Sequence, residues 1–200
     1  MKVIFTCGGT AGHVNPALAL AGQIRERQPG SEILFVGARR GIERRLIEAA
    51  GWPFKAVEVS SFHRSLKPEE IRHNLISVKN FICSPAQARE ILDEFPADLV
   101  VGTDTERIQP CEVWGESRIV YSLGALIDGK NKYPETYTLV FGAELQVIDG
   151  ELRNVEYSLL PCRTYDDDHP WRPLPAEDKT ELRTVSEFLS GKRDTPYSEG

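Results

Sequence analysis

The chain has 200 residues, enough for one large domain or two small ones, and its 40% hydrophobic content is typical of a soluble globular protein. No apolar run approaches the roughly 20 residues of a membrane span, the start MKVIFTCGG has no secretory signal, and the four cysteines form no CxxC pair. We therefore expect a cytoplasmic protein without a zinc site or a disulfide framework.

The net charge of −6 is unevenly divided along the chain. Residues 1–100 carry 13 Lys+Arg against 11 Asp+Glu, whereas residues 101–200 carry 11 against 19. The acidic second half argues against nucleic acid as a partner, and the more basic first half suits an anionic ligand or a membrane surface.

The first hundred residues predict alternating strands and helices. Asn15 followed by Pro16 is a favourable helix start, because asparagine caps a helix and the missing N–H of proline has no partner in the first turn. Ser84 before Pro85 indicates a break, because the residue before a proline avoids helical space. Such alternation forms a parallel sheet covered on both faces, so we predict an α/β, Rossmann-like half. The predicted strands are 2–6, 32–36, 54–59 and 98–102, and the predicted helices are 15–28, 41–50 and 68–95.

The pattern changes after residue 103. Four strands are predicted in succession, at 111–114, 118–123, 137–147 and 152–160, and Asp149-Gly150 between the last two is a hairpin signal. A helix is predicted only at 176–189. We therefore predict two domains, 1–103 and 104–200, the second an antiparallel β-rich region with a C-terminal helix.

Residues 7–22, CGGTAGHVNPALALAG, carry the strongest chemical signal. Glycines after a strand let the backbone turn sharply and approach a ligand, and free amides at a helix N-terminus attract phosphate. Thr10 adds a hydroxyl, and His13 adds a group that can move a proton near neutral pH. The spacing is not GxGxxG. The alternative is a tight turn that holds no ligand, and the pattern alone leaves both open.

The same residues resemble the start of the MurG family of peptidoglycan N-acetylglucosaminyltransferases, through the motif GGT-x-GH followed by NPALA. The likeness continues through EILFVGARRGIERRLIEAAGWPFKAVEVSSFHRSL, IRHNLISVKNF, SPAQAREIL and ADLVVGT, and it covers about residues 1–103. The resemblance implies the N-terminal half of a two-domain GT-B transferase. The family moves GlcNAc from UDP-GlcNAc to lipid I at the inner membrane face, without a metal or another cofactor.

The resemblance also implies site residues. Substrate contacts around the diphosphate map to Gly9, Thr10, Ala11, Gly12 and Asn15. Ala11 replaces a glycine of many members, and its methyl group requires a negative φ. His13 maps to the histidine implicated in acceptor binding and as the base on the acceptor hydroxyl. The alternative role for His13 is to order the loop.

Two further surfaces of the first half are candidates. Four arginines at positions 39, 40, 44 and 45 suit phosphate or anionic lipid, or else form a solvated helix face. Ile71, Leu75, Val78 and Phe81 have helical spacing, with Lys67, Arg72 and Lys79 nearby. In the family this region is thought to meet the membrane, which a basic amphipathic stretch suits. The alternative is a stripe facing the core. His63 and His73 are interpreted as surface or loop residues.

The second half resembles another family. GTDTERIQPCEVWGESRIVYSLGALIDG and VEYSLLPCRTYDDDHPWRP, within residues 98–190, resemble the C-terminal part of CapA-like proteins, which are metallophosphatase relatives. Asp104 and Glu106 stand where that family has the histidines of GxHxH, and Ala125 replaces the asparagine of YSLGN. The run 166–169, Asp-Asp-Asp-His, is interpreted as a solvated turn rather than a metal site.

The function expected from these patterns is that of a MurG-like glycosyltransferase domain. The GGY segment and the HEQN motif that the resemblance places after residue 103 do not occur in the sequence. We therefore expect impaired transfer, because the uridine-binding domain is missing from these residues. The expected partners are UDP-GlcNAc, lipid I and the inner membrane surface, to which the chain would bind peripherally. The alternatives are a CapA-like phosphoesterase remnant and a non-catalytic envelope binding module.

Overall fold

A computed structural model of the chain describes residues 1–60, 67–103, 108–124, 137–148, 151–164, 173–190 and 192. The chain divides into two compact units, Met1–Val100 and Val101–Gly200.

The first unit has the predicted alternation of strands and helices. Strands β1 and β2 pair in parallel with Phe5 opposite Phe35, and β2 pairs in parallel with β3. Within this unit the strands of the larger sheet follow the order β3-β2-β1-β4. The predicted Rossmann-like parallel sheet is therefore confirmed. The elements up to β4 are β1 (Lys2–Thr6), α1 (Ala11–Arg27), β2 (Glu32–Ala38), α2 (Ile42–Ala49), β3 (Phe54–Val57), α3 (Pro68–Glu94) and β4 (Leu99–Gly102).

The core of this unit is built around β1. Its three central residues are buried, and the rings of Phe5 and Phe35 stack with centroids 5.3 Å apart. Helix α1 buries Val14, Ala17 and Ala21, whose spacing of three and four residues places them on one face. This face of α1 is therefore part of the core of the unit.

Two helix boundaries differ from the sequence-based expectation. Helix α1 begins at Ala11, and the cap position belongs to Thr10, whose backbone is extended, so the prediction of Asn15 as the cap was wrong. The predicted break before Pro85 was also wrong, because α3 is continuous. Proline at 85 removes the N–H that would bond to Phe81 O, and the Ser84 hydroxyl donates to that oxygen at 3.1 Å.

The connection between β2 and α2 is held by a buried carboxylate. Glu43 is 2% exposed, and its Oε1 accepts a hydrogen bond from the Ala38 amide at 3.0 Å. The Gly41 amide donates to Ala38 O at 3.3 Å, which closes a four-residue turn. Glu43 also lies in the first turn of α2, where the helix dipole favours a negative charge.

The second unit is antiparallel, as predicted, and ends in a helix. β7 pairs with β8 along its length, with Ile148 opposite Glu151, while the predicted hairpin residues Asp149 and Gly150 lie outside the described residues. Ile108, Leu139 and Val185 form its buried cluster. The elements are β5 (Cys111–Trp114), β6 (Ser117–Val120), β7 (Tyr137–Ile148), β8 (Glu151–Arg163), β9 (Leu174–Pro175) and α4 (Lys179–Leu189).

Helix α4 begins three residues later than expected. Asp178 Oδ1 accepts a hydrogen bond from the Thr180 amide at 2.6 Å, which makes Asp178 the capping residue. That hydrogen bond lowers the pKa of the Asp178 carboxyl. The preceding Leu174–Pro175 segment pairs with β8 as a short strand instead.

The Glu43 contact predicts an effect of substitution at Gly41. A Cβ atom at Gly41 would lie 2.0 Å from both carboxylate oxygens, so Gly41→Ala forces the buried side chain to move and to release the Ala38 amide. We expect a loss of about 1–3 kcal/mol of unfolding free energy in urea denaturation. The control is Gly22→Ala in α1, where a Cβ meets nothing within 4 Å. There, helix propensity predicts a gain of about 0.5–1 kcal/mol. Equal stability of the two variants would contradict this account of the turn.

Candidate functional site

The candidate site lies at the carboxyl edge of the parallel strands. Residues 7–13, here called the glycine loop, connect the end of β1 to the start of α1. The end of β2 lies beside this loop, because a Cβ atom built on Gly37 would be 3.1 Å from Cys7 O. Ligands of open α/β sheets bind at this edge, outside the carboxyl ends of the strands.

The backbone of the glycine loop leaves amide groups available to a ligand. Gly9 has φ +76°, and the Thr10 amide donates to Gly8 O at 2.9 Å. The next two amides, those of Ala11 and Gly12, make no backbone hydrogen bond within the described residues, whereas the His13 amide donates to Thr10 O at 3.1 Å. The two amides lie at the positive end of the α1 dipole, and this arrangement can bind a phosphate group.

The His13 side chain is held by the same loop. Its Nδ1 lies 2.9 Å from Gly8 O, and because a carbonyl oxygen can only accept, Nδ1 must carry the proton. In the neutral ring, Nε2 is then the nitrogen that can take up a proton. The hydrogen bond thus orders the loop and also fixes the tautomer that a general base requires. The two roles foreseen for His13 are compatible in this geometry.

The structure brings most of the predicted site residues together. Gly9, Thr10 and Gly12 are exposed, and Ala11 is the first residue of α1, where φ is negative, so its methyl group causes no backbone strain. Asn15 is exposed on α1, one turn beyond Ala11. Its assignment to substrate binding stays a prediction, as do those of the loop residues.

Sequence reasoning identified the arginines after β2 but missed Glu43. The sequence did contain a signal for Glu43. It is an acidic residue two positions after Gly41, at the start of a predicted helix, and such a position places a carboxylate in the first turn. Arg39 forms an ion pair with Glu58, and Arg44 pairs with Glu48 at 2.9 Å. The fourfold arginine cluster therefore separates into residues with different partners, which sequence spacing alone could not show.

The first half of helix α3 exposes large apolar residues and turns polar residues inward, whereas Ile91 near its end is buried. Leu75 is 67% exposed and Phe81 is 72% exposed, whereas Ser77 is 1% exposed. The Ser60 hydroxyl donates to Ser77 Oγ at 2.9 Å, and the Asn80 amide donates to Ser60 Oγ at 3.1 Å. The predicted apolar stripe thus faces away from the core, and the alternative of a core-facing stripe was wrong. The stripe extends to six exposed residues, Ile71, Leu75, Ile76, Val78, Phe81 and Ile82. No described helix is both long and apolar enough to cross a membrane.

The ionisable groups with shifted pKa values lie outside the glycine loop. Burial and a hydrogen bond to Glu112 raise the pKa of Tyr121 to about 12, and burial raises the pKa of the Cys111 and Cys162 thiols. Within the described ranges, no group of three or more His, Cys, Asp or Glu side chains is placed to hold a metal ion. Asp104, Glu106, Ala125, the acidic run 166–169 and His63 lie outside those ranges.

Comparison with known proteins matches residues 3–108 to the glycosyltransferase family 28 N-terminal domain. A relative from Acetivibrio thermocellus is named UDP-N-acetylglucosamine–N-acetylmuramyl-(pentapeptide) pyrophosphoryl-undecaprenol N-acetylglucosamine transferase. It is 38% identical over 134 residues, which cover 67% of this chain and 34% of the relative. A relative of the same name from Leuconostoc mesenteroides is 43% identical over 103 residues, which cover 52% of this chain and 27% of the relative. The chain therefore spans between a quarter and about a third of the length of these curated relatives.

Among solved structures, the crystal structure of Acinetobacter baumannii MurG is similar to this chain with a TM-score of 0.40 and 23% sequence identity. The match covers 50% of this chain and 27% of that one.

The loop geometry predicts that two of its glycines have different roles. Gly9→Ala places a side chain at φ +76°, and we expect a loss of about 1 kcal/mol of unfolding free energy in urea denaturation. Gly12→Ala serves as the comparison, because Gly12 is helical and a Cβ there meets only Thr10 Oγ1, at 3.4 Å. It should retain stability yet weaken phosphate binding, since its methyl group lies beside the available amides. Full stability of the Gly9→Ala variant would show that the loop does not need the left-handed conformation.

Proposed function

The chain belongs to glycosyltransferase family 28 through its N-terminal domain, residues 3–108, and on this premise we propose that its glycine loop binds a sugar-linked diphosphate in peptidoglycan synthesis. The names of its relatives specify a UDP-N-acetylglucosamine donor and a pyrophosphoryl-undecaprenol acceptor, the latter known as lipid I. Both molecules contain a diphosphate. The observation that carries the proposal is the pair of available amides, Ala11 and Gly12, at the N-terminus of α1 inside the matched residues.

In the proposed reaction, His13 is the general base. The acceptor hydroxyl oxygen attacks C1 of the donor GlcNAc, and the bond from C1 to the diphosphate oxygen breaks, so that UDP leaves with the bonding electron pair. His13 Nε2 takes the proton of the acceptor hydroxyl. The hydrogen bond from Nδ1 to Gly8 O supports this role, because it aims the ring and keeps Nε2 unprotonated in the neutral histidine. Gly9, Thr10 and Asn15 complete the proposed substrate contacts.

We further propose that α3 places the chain on the inner membrane surface as a peripheral protein. An undecaprenol-linked acceptor has its hydrocarbon tail in a bilayer, so an enzyme acting on it must work at the interface. Helix α3 supports this, because its exposed face combines Leu75 and Phe81 with the basic residues Lys67, Arg72 and Lys79. Apolar side chains would enter the acyl boundary while the cations contact anionic lipid.

Transfer by the 200-residue polypeptide itself is proposed to be weak. A transferase accelerates its reaction by holding donor and acceptor in one orientation, and a loop that binds only the diphosphate provides part of that alignment. Residues 104–200, interpreted from sequence as a CapA-like region, contain neither the GGY nor the HEQN segment. A CapA-like phosphoesterase is not favoured, because both named relatives are transferases. The alternative, a non-catalytic envelope binding module, would bind the same ligand but would transfer no GlcNAc.

Binding and turnover test this proposal separately. We expect a short-chain lipid I analogue to bind the 200-residue chain in isothermal titration calorimetry, with transfer of labelled GlcNAc from UDP-GlcNAc close to background. Gly12→Ala should weaken binding, because it crowds the amides, whereas Gly30→Ala is a control in open space outside the loop. Absence of binding by the unaltered chain, or equal binding by both variants, would contradict the assignment of the loop. Robust turnover would contradict the claim of weak transfer.

The membrane proposal has its own test. The double variant Leu75→Ser, Phe81→Ser should reduce co-sedimentation with anionic phospholipid vesicles by at least about tenfold, because it removes two large exposed apolar side chains. Leu20→Ser on α1 is the matched control, since Leu20 is an exposed helical leucine outside the α3 face. Circular dichroism checks that all variants fold. Unchanged sedimentation of the double variant, or an equal loss with Leu20→Ser, would rule out α3 as the contact surface.

A further inference from the structure

A second element lies beside the glycine loop at the carboxyl edge of the sheet. Residues 38–41, here called the arginine turn, begin at the last residue of β2, and β2 runs parallel to β1 with Thr6 opposite Val36. The close approach of Gly37 to Cys7 O shows that the strand ends stay adjacent where both connections begin. Because the two connections start side by side, a charge on the arginine turn lies on the same edge of the sheet as the available amides of Ala11 and Gly12.

The arginine turn is held rigidly by Glu43. Its Oε1 accepts from the Ala38 amide, and both carboxylate oxygens pack so closely on Gly41 that a Cβ there would meet each of them at 2.0 Å. The Gly41 amide closes the turn onto Ala38 O. Oε2 is buried and accepts no hydrogen bond from the described residues. These contacts of the buried Glu43 side chain hold the two central turn residues, Arg39 and Arg40, in one backbone conformation.

The two arginines of the turn differ in their partners. Arg39 is paired with Glu58, and on the helix that follows Arg44 is paired with Glu48. Arg40 is exposed and has no ion pair with any carboxylate in the described part of the chain. Of the two arginines in the turn, Arg40 is therefore the one whose charge is not offset by a carboxylate of the described residues.

We propose that Arg40 contacts the diphosphate bound at the glycine loop, and that Glu43 is a positioning residue that places Arg40 there. The inference rests on the proposed function, because it assigns a cation to the same site. A diphosphate carries more negative charge than two partial charges on amides can offset, and guanidinium is the side chain best suited to phosphate oxygens.

The test is a titration of the ¹⁵N-labelled 200-residue chain with inorganic pyrophosphate, followed through the Ala11 and Gly12 amide resonances. Arg40→Ala should raise Kd about fivefold and reduce its salt dependence, on the scale of an exposed ion pair. Arg40→Lys should recover part of the affinity. Arg45→Ala is the matched control, because Arg45 is another exposed arginine on α2 without an ion pair in the described residues.

The role of Glu43 is tested by a double-mutant cycle. Glu43→Ala should raise Kd as much as Arg40→Ala, and the double variant should be no weaker than either single variant, because both remove the same contact. Glu43→Gln should retain binding, since its amide oxygen can still accept from the Ala38 amide. If Glu43 only stabilised the fold, its substitution would lower stability, and its effect on Kd would be independent of the effect of Arg40→Ala. A double variant in which the two increases in Kd multiply would therefore overturn the positioning role.

The outcomes separate this inference from the function on which it rests. If pyrophosphate shifts the Ala11 and Gly12 resonances but Arg40→Ala binds as tightly as the unaltered chain, the assignment of Arg40 is wrong and the glycine-loop site stands. An equal loss with Arg45→Ala would also overturn it, because binding would then depend on general positive charge. If the unaltered chain shows no shift at Ala11 and Gly12, the proposed diphosphate site fails and the assignment of Arg40 fails with it.

Discussion

The parallel pairing of β1 with β2 determines where the chemistry of this chain lies. Parallel neighbours end at the same edge of a sheet, so the glycine loop, which follows Thr6, and the arginine turn, which begins at Ala38, are adjacent although 31 residues lie between the two strand ends. Val3, Ile4 and Phe5 are consecutive and all buried, so both faces of this central strand are covered, as is typical of a parallel sheet. The positions of the loop amides and of Arg40 follow from that packing.

Within the glycine loop, backbone geometry and side-chain chemistry depend on each other. The left-handed conformation at Gly9 aims Gly8 O so that it accepts from both the Thr10 amide and His13 Nδ1. The same carbonyl thus closes the turn and orients the histidine. The proposed diphosphate site and the proposed base share this one carbonyl and cannot move independently, which is the preorganisation that a transfer reaction would need.

The sequence was sufficient for the order of elements and for the location of the loop, because hydrophobic periodicity and glycine placement are local signals. It was insufficient where a tertiary partner decides the outcome. Proline signals placed the start of α1 at Asn15 and a break at Pro85. In the structure, α1 begins at Ala11 with Thr10 at the cap position, and the Ser84 hydroxyl satisfies the carbonyl that Pro85 leaves without an amide. Glu43 was missed because its burial depends on the β2–α2 turn folding over it. The ion pair that distinguishes Arg39 from Arg40 likewise depends on a residue distant in sequence, Glu58, which follows β3.

The polar inner face of α3 has a consequence for how precisely that helix is oriented. Apolar contacts are non-directional and let a helix rotate about its axis with little change in energy, whereas hydrogen bonds fix the angle at which two groups meet. Ser77, Asn80 and Gln87 form hydrogen bonds with Glu58 and Ser60, which follow β3, at donor–acceptor distances of 2.9–3.1 Å. Since successive residues of an α-helix are about 100° apart, rotation by one position would break all three bonds. These three hydrogen bonds therefore oppose rotation of α3 about its axis, and its exposed face keeps a constant direction relative to the parallel sheet that carries the glycine loop.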